Sequence, residues 1–188
     1  MDFLDVLKER PVIAALREVE SPPLGKLSNI GVLFVLGGDI FDVPRIVDQA
    51  RRFGQLVFID IDLVKGVGKD SSGVRYLATE GKVNGIITTK GNLIAGARRD
   101  GLSTIQRIFA LDSESLAGGL NVVSKSKPDA VEILPGLIVP KIMTKIRSKT
   151  SIPIIAGGLI TEKEEVEEIL ASGAVGVSTT SHDLLQFH

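Results

Sequence analysis

Eight short apolar runs begin near Val12, Val32, Leu56, Gly85, Ser103, Ala130, Pro153 and Ala174, fairly evenly spaced, and each is followed by residues with helical periodicity. No other feature restricts the fold as strongly. Strands that alternate with helices imply a parallel sheet, because a parallel neighbour is reached only through a crossover. An open doubly wound sheet normally stops at five or six strands, so eight units imply closure into a barrel. At 188 residues the chain lies just under the ~200-residue lower end of such barrels, which leaves minimal loops and no room for a lid. The expectation is an α/β protein, one compact (β/α)8 TIM-barrel domain over residues 1–188.

The strands are expected at Val12–Leu16, 32–36, 56–61, 85–87, 103–108, Ala130–Leu134, 153–156 and 174–177. Phe3, Leu4 and Leu7 mark a short amphipathic helix ahead of them, of the kind that plugs a barrel floor. Asp42, Asp70 and Asp112 are placed to cap helices, and Thr161 with Glu164 reads as a capping box. Ile46, Val47, Ala50 and Phe53 share one helical face, and Gly54 and Gly173 stand as helix stops.

Active and binding sites of such barrels lie at the C-terminal ends of the strands, and the last two loops frequently hold a phosphate. Small residues follow both final strands here, Gly157 and Gly158 after one and Ser178, Thr179 and Thr180 after the other. Glycine lets a ligand approach the backbone, and a helix start offers unpaired N–H groups, so these five residues form the candidate phosphate cradle. Strand periodicity supplies the rest. If Val57, Ile59 and Ile61 face the helices, Asp60 and Asp62 point into the barrel mouth, and Glu132 does the same in the sixth strand. The fourth strand offers Thr88 and Lys90, the fifth Gln106 and Arg107, and the first two end at Arg17 and Asp39. Three of the acids, Asp60, Asp62 and Glu132, could hold a hard cation through their oxygens, and Asp60 and Glu132 could instead pair with arginine or lysine simply to fill the interior. Neither a metal nor a cofactor is expected.

Composition narrows the chemistry. No cysteine is present and only His182 and His188 are histidines, which removes thiolate zinc sites, thiol nucleophiles and histidine triads. The N-terminus lacks the order of a signal peptide and no apolar run is long enough to span a bilayer, so cytoplasmic residence without membrane contact is expected. A net charge of −1 and a pI near 6.1 give no global attraction for nucleic acid. Basic residues cluster only locally, at Arg51 and Arg52, Arg98 and Arg99, Lys125 and Lys127, and from Lys141 to Lys149.

The segments Ile59-Asp60-Ile61-Asp62-Leu63, Gly85-Ile86-Ile87-Thr88-Thr89-Lys90-Gly91-Asn92-Leu93-Ile94 and Thr104-Ile105-Gln106-Arg107-Ile108-Phe109 carry a family resemblance. It continues through Val131-Glu132-Ile133-Leu134-Pro135-Gly136, Ile154-Ile155-Ala156-Gly157-Gly158-Leu159-Ile160 and Val177-Ser178-Thr179-Thr180. Over nearly its whole length the chain resembles the glycerol-3-phosphate-responsive antiterminators of bacterial glycerol uptake operons. The resemblance implies a regulator that binds glycerol-3-phosphate, or a similar small phosphorylated ligand, and then leader mRNA, preventing premature transcription termination. Glycerol hydroxyls would meet Asp60, Asp62, Gln106 or Glu132, and Lys90 or Arg107 would assist the phosphate. Asp60 stands where the family leads one to expect histidine, Lys65 where an acidic or neutral polar residue is usual, and Thr88 where serine is common. For RNA the preferred surface is the helix bearing Lys141, Lys145, Arg147 and Lys149. The alternative is a phosphosugar lyase or isomerase using the same phosphate site, and the oligomeric state is left open.

Overall fold

In the computed structural model, which describes residues 2–20, 22 and 24–185, each strand pairs in parallel with its sequence neighbour and the last returns to the first. The strands are β1 (Val12–Leu16), β2 (Val32–Val35), β3 (Leu56–Asp60), β4 (Gly85–Thr88), β5 (Ser103–Phe109), β6 (Ala130–Leu134), β7 (Ile154–Gly157) and β8 (Gly176–Thr179). Closure is set by the register Val12↔Val177, Ile13↔Ser178 and Ala14↔Thr179. The helices are α1 (Phe3–Glu9), α2 (Asp42–Arg52), α3 (Ser71–Thr79), α4 (Gly91–Arg99), α5 (Ser113–Ser126), α6 (Val139–Arg147), α7 (Lys163–Ala171) and the single turn α8 (His182–Leu185). Among the described residues the crossover between β1 and β2 holds a 3-10 turn, Leu24–Leu27, and no α-helix. The architecture is the expected TIM barrel.

Alternation along the strands divides the apolar residues into an inner and an outer set. Ile13, Phe34, Phe58, Ile87, Ile105 and Ile155 point inward and pack on Phe3, Val6 and Leu7 of α1, which closes the N-terminal end as expected. The Phe58 ring stands edge-on to Phe3 at 5.1 Å and tilted against Phe34 at 5.9 Å. Gly85 makes room for it, since a Cβ there would lie 2.3 Å from that ring. Val57, Ile59 and Ile61 point outward and join Ile46, Val47 and Ala50 of α2 with Val74 and Leu77 of α3. Val131, Ile133 and Val177 do the same against α5, α6 and α7.

Two caps are as expected. The Asp70 carboxylate accepts from the Ser72 and Gly73 N–H groups, and Asp112 accepts from Ser115 N. Two are not. Asp42 is the first residue of α2, where it accepts from Asp39 N and pairs with Arg45, so it braces the preceding loop. Before α7 the reaching residue is Glu165, which accepts from the N–H groups of both Thr161 and Glu162. Phe53 is 42% exposed rather than part of the α2 core face. The seventh and eighth strands run past their apolar stretches into Gly157 and Thr179. Ser178 and Thr179 tolerate burial there because each hydroxyl has a partner, and that is invisible to hydropathy. No helix among the described residues is long and apolar enough to cross a membrane.

Candidate ligand site at the C-terminal ends of the strands

One step beyond the apolar inner layer, the inward positions turn polar. Phe58 is succeeded by Asp60, Ile105 by Arg107, Ala130 by Glu132 and Gly176 by Ser178, each two residues along its strand. These four side chains join into one buried chain across the barrel. Arg107 donates through Nε to Glu132 Oε2 at 2.7 Å and through Nη1 to Asp60 Oδ2. Ser178 Oγ donates to Glu132 Oε1 at 2.7 Å, and Asp60 Oδ1 accepts from Asp62 N at 3.0 Å. Nη2 of Arg107 has no protein partner among the described residues.

Above this network lies a cavity of about 730 Å³. Arg107, Asp60 and Glu132 form its floor, and Gly158, Thr161, Thr179 and Thr180 form the side at β7 and β8. Leu63, Phe109, Leu111 and Leu159 line the mouth and remain exposed. Gly158 can line the cavity only with its backbone, and its φ of +80° is a conformation that suits glycine.

Burial pushes the Asp60 carboxyl up to about 6, with Arg107 pulling the other way and the Asp62 and Glu132 carboxylates adding to the rise. Burial also works against the charge of Arg107, but Glu132 and Asp60 outweigh it and hold the guanidinium above its ordinary value. A folded value above 3.8 means that Asp60 favours the folded state fully below pH 3.8 and loses that contribution as pH rises through about 6. A gap of that size is worth roughly 3 kcal/mol. Asn at position 60 does not titrate. Urea titrations should therefore find wild type losing roughly 2–3 kcal/mol relative to Asp60→Asn between pH 4 and 7. A constant difference across that range would show that the carboxyl titrates normally.

The expected site residues fare differently. Gly157 does not line the cavity, because a Cβ there would lie 2.5 Å from both Glu132 Oε1 and Ser178 Oγ. The Ser178 hydroxyl is committed to Glu132, and that of Thr179 donates to Ile160 O and accepts from Ser181 N. The start of α7 already holds an anion of its own, the Glu165 carboxylate. What is left of the cradle is the Gly158 backbone and Thr180, with exposed Arg17 beside them because β1 adjoins β8.

Gln106 faces the opposite way from Arg107, as neighbours in a strand must, and accepts a hydrogen bond from Ser126 of α5 outside the barrel. Thr88 is likewise turned from the cavity. Its hydroxyl donates to the Asp62 carboxylate and accepts from Lys90 N. The same carboxylate takes the Thr89 N–H at 2.7 Å and hydroxyl at 2.8 Å, so Asp62 lines the cavity while tying β3 to β4. Lys90 is exposed and does not line the cavity. Asp39 accepts from Phe41 N and lies outside the cavity.

Lys141, Lys145, Arg147 and Lys149 are all exposed, and Arg147 also donates to Ile152 O and Gly173 O. Sequence reasoning missed Thr89, Phe109 and Leu159. Strand alternation would have found Phe109, two residues beyond Arg107. Leu159 carried no signal, being a leucine at φ +64° in a loop. Asp60 and Glu132, offered as cation ligands, both grip Arg107, so a guanidinium stands where the cation would. Among the described residues no group of three or more histidine, cysteine, aspartate or glutamate side chains is placed to hold a metal.

Residues 12–185 match the family described as glycerol-3-phosphate responsive antiterminator. A glycerol uptake operon antiterminator regulatory protein from Listeria monocytogenes is 33% identical, with a TM-score of 0.87 over 95% of this chain and 96% of that one. A glycerol uptake operon antiterminator-related protein from Thermotoga maritima is 31% identical, with a TM-score of 0.84 over 95% and 99% of the two chains. The Escherichia coli K12 protein YgcP is 34% identical over 181 residues, 96% of this chain and 94% of that one. Solved barrels that are phosphosugar enzymes match at 11% to 15% identity and share the fold alone.

Proposed function

The chain belongs to the glycerol-3-phosphate responsive antiterminator family, and from that premise we propose that it binds glycerol-3-phosphate above Arg107 and then binds the leader mRNA of a glycerol uptake operon. The carrying observation is the content of one cavity. It combines a backbone-only wall at Gly158, the cations Arg17 and Arg107, and the carboxylates of Asp60 and Glu132. The phosphate would rest between Gly158, Thr180 and Arg17, and the glycerol hydroxyls would reach Arg107 and its two carboxylates. A lyase or isomerase needs an acid–base group free to move a proton. Here both buried carboxylates hold Arg107 and Lys90 lies outside the cavity, which favours binding over turnover.

Thermal melts with and without glycerol-3-phosphate test the site. A ligand that binds only the native state at ~100 times its dissociation constant stabilises by about 2.7 kcal/mol. Wild type should show that upward shift. Gly158→Asn, whose side chain tolerates positive φ, should keep part of it, while Gly158→Asp should lose it because a negative charge meets the phosphate. An equal shift in all three proteins would move the phosphate elsewhere. Regulation adds a reciprocity: ligand must tighten RNA binding by the same factor as RNA tightens ligand binding.

A further inference from the structure

Basic pairs far apart in the sequence meet at one end of the barrel. Every helix between parallel strands runs back against them, so all helix C-termini collect at the N-terminal end, away from the cavity. There α2 ends in Arg51 and Arg52, and α4 ends in Arg98 and Arg99. Lys125 closes α5 with Lys127 just after it, and Lys145 and Arg147 close α6. Acids at this end, Glu80, Asp100 and Asp129 on the rim and Asp2, Asp5 and Glu9 on the plugging helix beside Lys8 and Arg10, are fewer than its cations. The opposite end carries Glu18, Glu20, Asp39, Asp42, Asp62, Asp70, Asp112, Glu114, Glu162, Glu164 and Glu165 against fewer cations, Arg17, Lys65, Lys69, Lys90, Lys141 and Lys163. A chain with a net charge of −1 is thus polarised along its barrel axis.

A repeated contact organises the rim. Arg51 Nη2 donates to Lys82 O at 3.1 Å, Arg98 Nη1 to Lys127 O at 3.0 Å, and Arg147 Nη2 to Gly173 O at 3.1 Å. Each time, an arginine closing one helix holds the carbonyl of a left-handed residue after the next helix, with φ of 51°, 52° and 101°. Glycine takes that conformation most cheaply, yet two of the three positions hold lysine, at a conformational cost. Cations at helix C-termini complement the macrodipole, which accounts for the arginines but not for lysine in place of glycine at 82 and 127. Arg52, Lys82, Arg99, Lys125 and Lys127 are exposed and enter no ion pair among the described residues. Phe53, beside Arg52 and 42% exposed, adds an aromatic face on which a base can stack.

We infer that this N-terminal rim, from α2 to α6, is the surface that takes RNA. The assignment rests on the antiterminator reading and moves the RNA surface from one helix, whose Lys141 lies at the opposite end, to an arc of helix ends. RNA phosphates are drawn to the basic end, whereas the glycerol-3-phosphate cavity with its own Arg17 and Arg107 lies at the other, so the two ligands share no contacting residue.

The test uses the full chain with glycerol-3-phosphate present and the 5′ leader transcript of the host's glycerol uptake operon as probe. A variant carrying Arg52→Gln, Lys82→Gln, Arg99→Gln, Lys125→Gln and Lys127→Gln should bind at least about tenfold more weakly, with a shallower salt dependence, each lost phosphate contact removing ~0.7 from the log–log slope on a single strand. Its melting shift with glycerol-3-phosphate should equal that of wild type, which shows an intact fold and an intact ligand site. Lys141→Gln, at the start of α6 and so at the other end, should bind RNA as wild type does. Unchanged affinity in the five-site variant, or a loss confined to Lys141→Gln, overturns the rim. Equal competition by duplex DNA of the same length overturns RNA as its occupant. If wild type binds no leader RNA while its ligand shift persists, the regulator reading fails and this assignment falls with it.

Discussion

Replacing Arg107 by methionine is expected to lower the unfolding free energy by about 3–5 kcal/mol at neutral pH, the range for removing one partner of a buried ion pair. Arg107 is 7% exposed, and its guanidinium holds two carboxylates that are themselves 1% exposed, Asp60 and Glu132. Methionine leaves both acids facing each other in a low dielectric with no cation between them. The loss should shrink as pH falls, because protonation removes the uncompensated charges and Asp60 already titrates near 6. It should also shrink in the triple variant Arg107→Met, Asp60→Asn, Glu132→Gln, where the buried charge is gone altogether. Urea midpoints of the single and triple variants decide the matter. Equal destabilisation in both would mean that Arg107 stabilises by packing its stem and not by neutralising the acids.

The second large effect lies at the other end of the barrel interior. Phe58→Ala should cost about 3–5 kcal/mol, as large-to-small replacements of buried aromatics do. Phe58 has no solvent exposure and sits between Phe3 of the plugging helix and Phe34 of β2, over the space left by Gly85. Neighbours cannot easily collapse into the gap, because the strands around it are fixed by closure of the barrel. Thermal unfolding followed by circular dichroism should show a single transition at a much lower temperature. A loss below about 1 kcal/mol would mean that α1 moves inward to fill the cavity, since the cost of such a change depends on how far a site can collapse. Glycerol-3-phosphate should still raise the melting temperature of this variant, because Phe58 lies beneath the polar layer and touches nothing in the ligand cavity.

Alternation with period two carried most of what could be read in advance. It placed Asp60 and Glu132 inside the barrel and Ile59 and Ile133 outside without reference to any neighbouring strand. It also contained the correction for β5, since Gln106 and Arg107 are adjacent and cannot both face the ligand. Capping was legible where the acid precedes the helix, at Asp70 and Asp112. It failed at Asp42, where the chain enters the helix from a loop that the same carboxylate braces.

The sequence by itself determined the number of strands, their parallel sense, closure, the plug at the N-terminal end and the face on which each strand residue lies. All of these follow from local periodicity and from the short reach of the connections. Tertiary structure alone decided which polar groups remain available. Ser178 and Thr179 are spent on Glu132 and Ile160, Asp62 is spent on Thr89, and the start of α7 is filled by Glu165. Such partners lie up to 46 residues apart, and hydrogen bonding over that separation depends on strand register, which no local pattern encodes. The same holds for the basic rim. Its pairs are separate and unremarkable along the chain, and they become one surface because barrel closure carries every helix C-terminus to the same end.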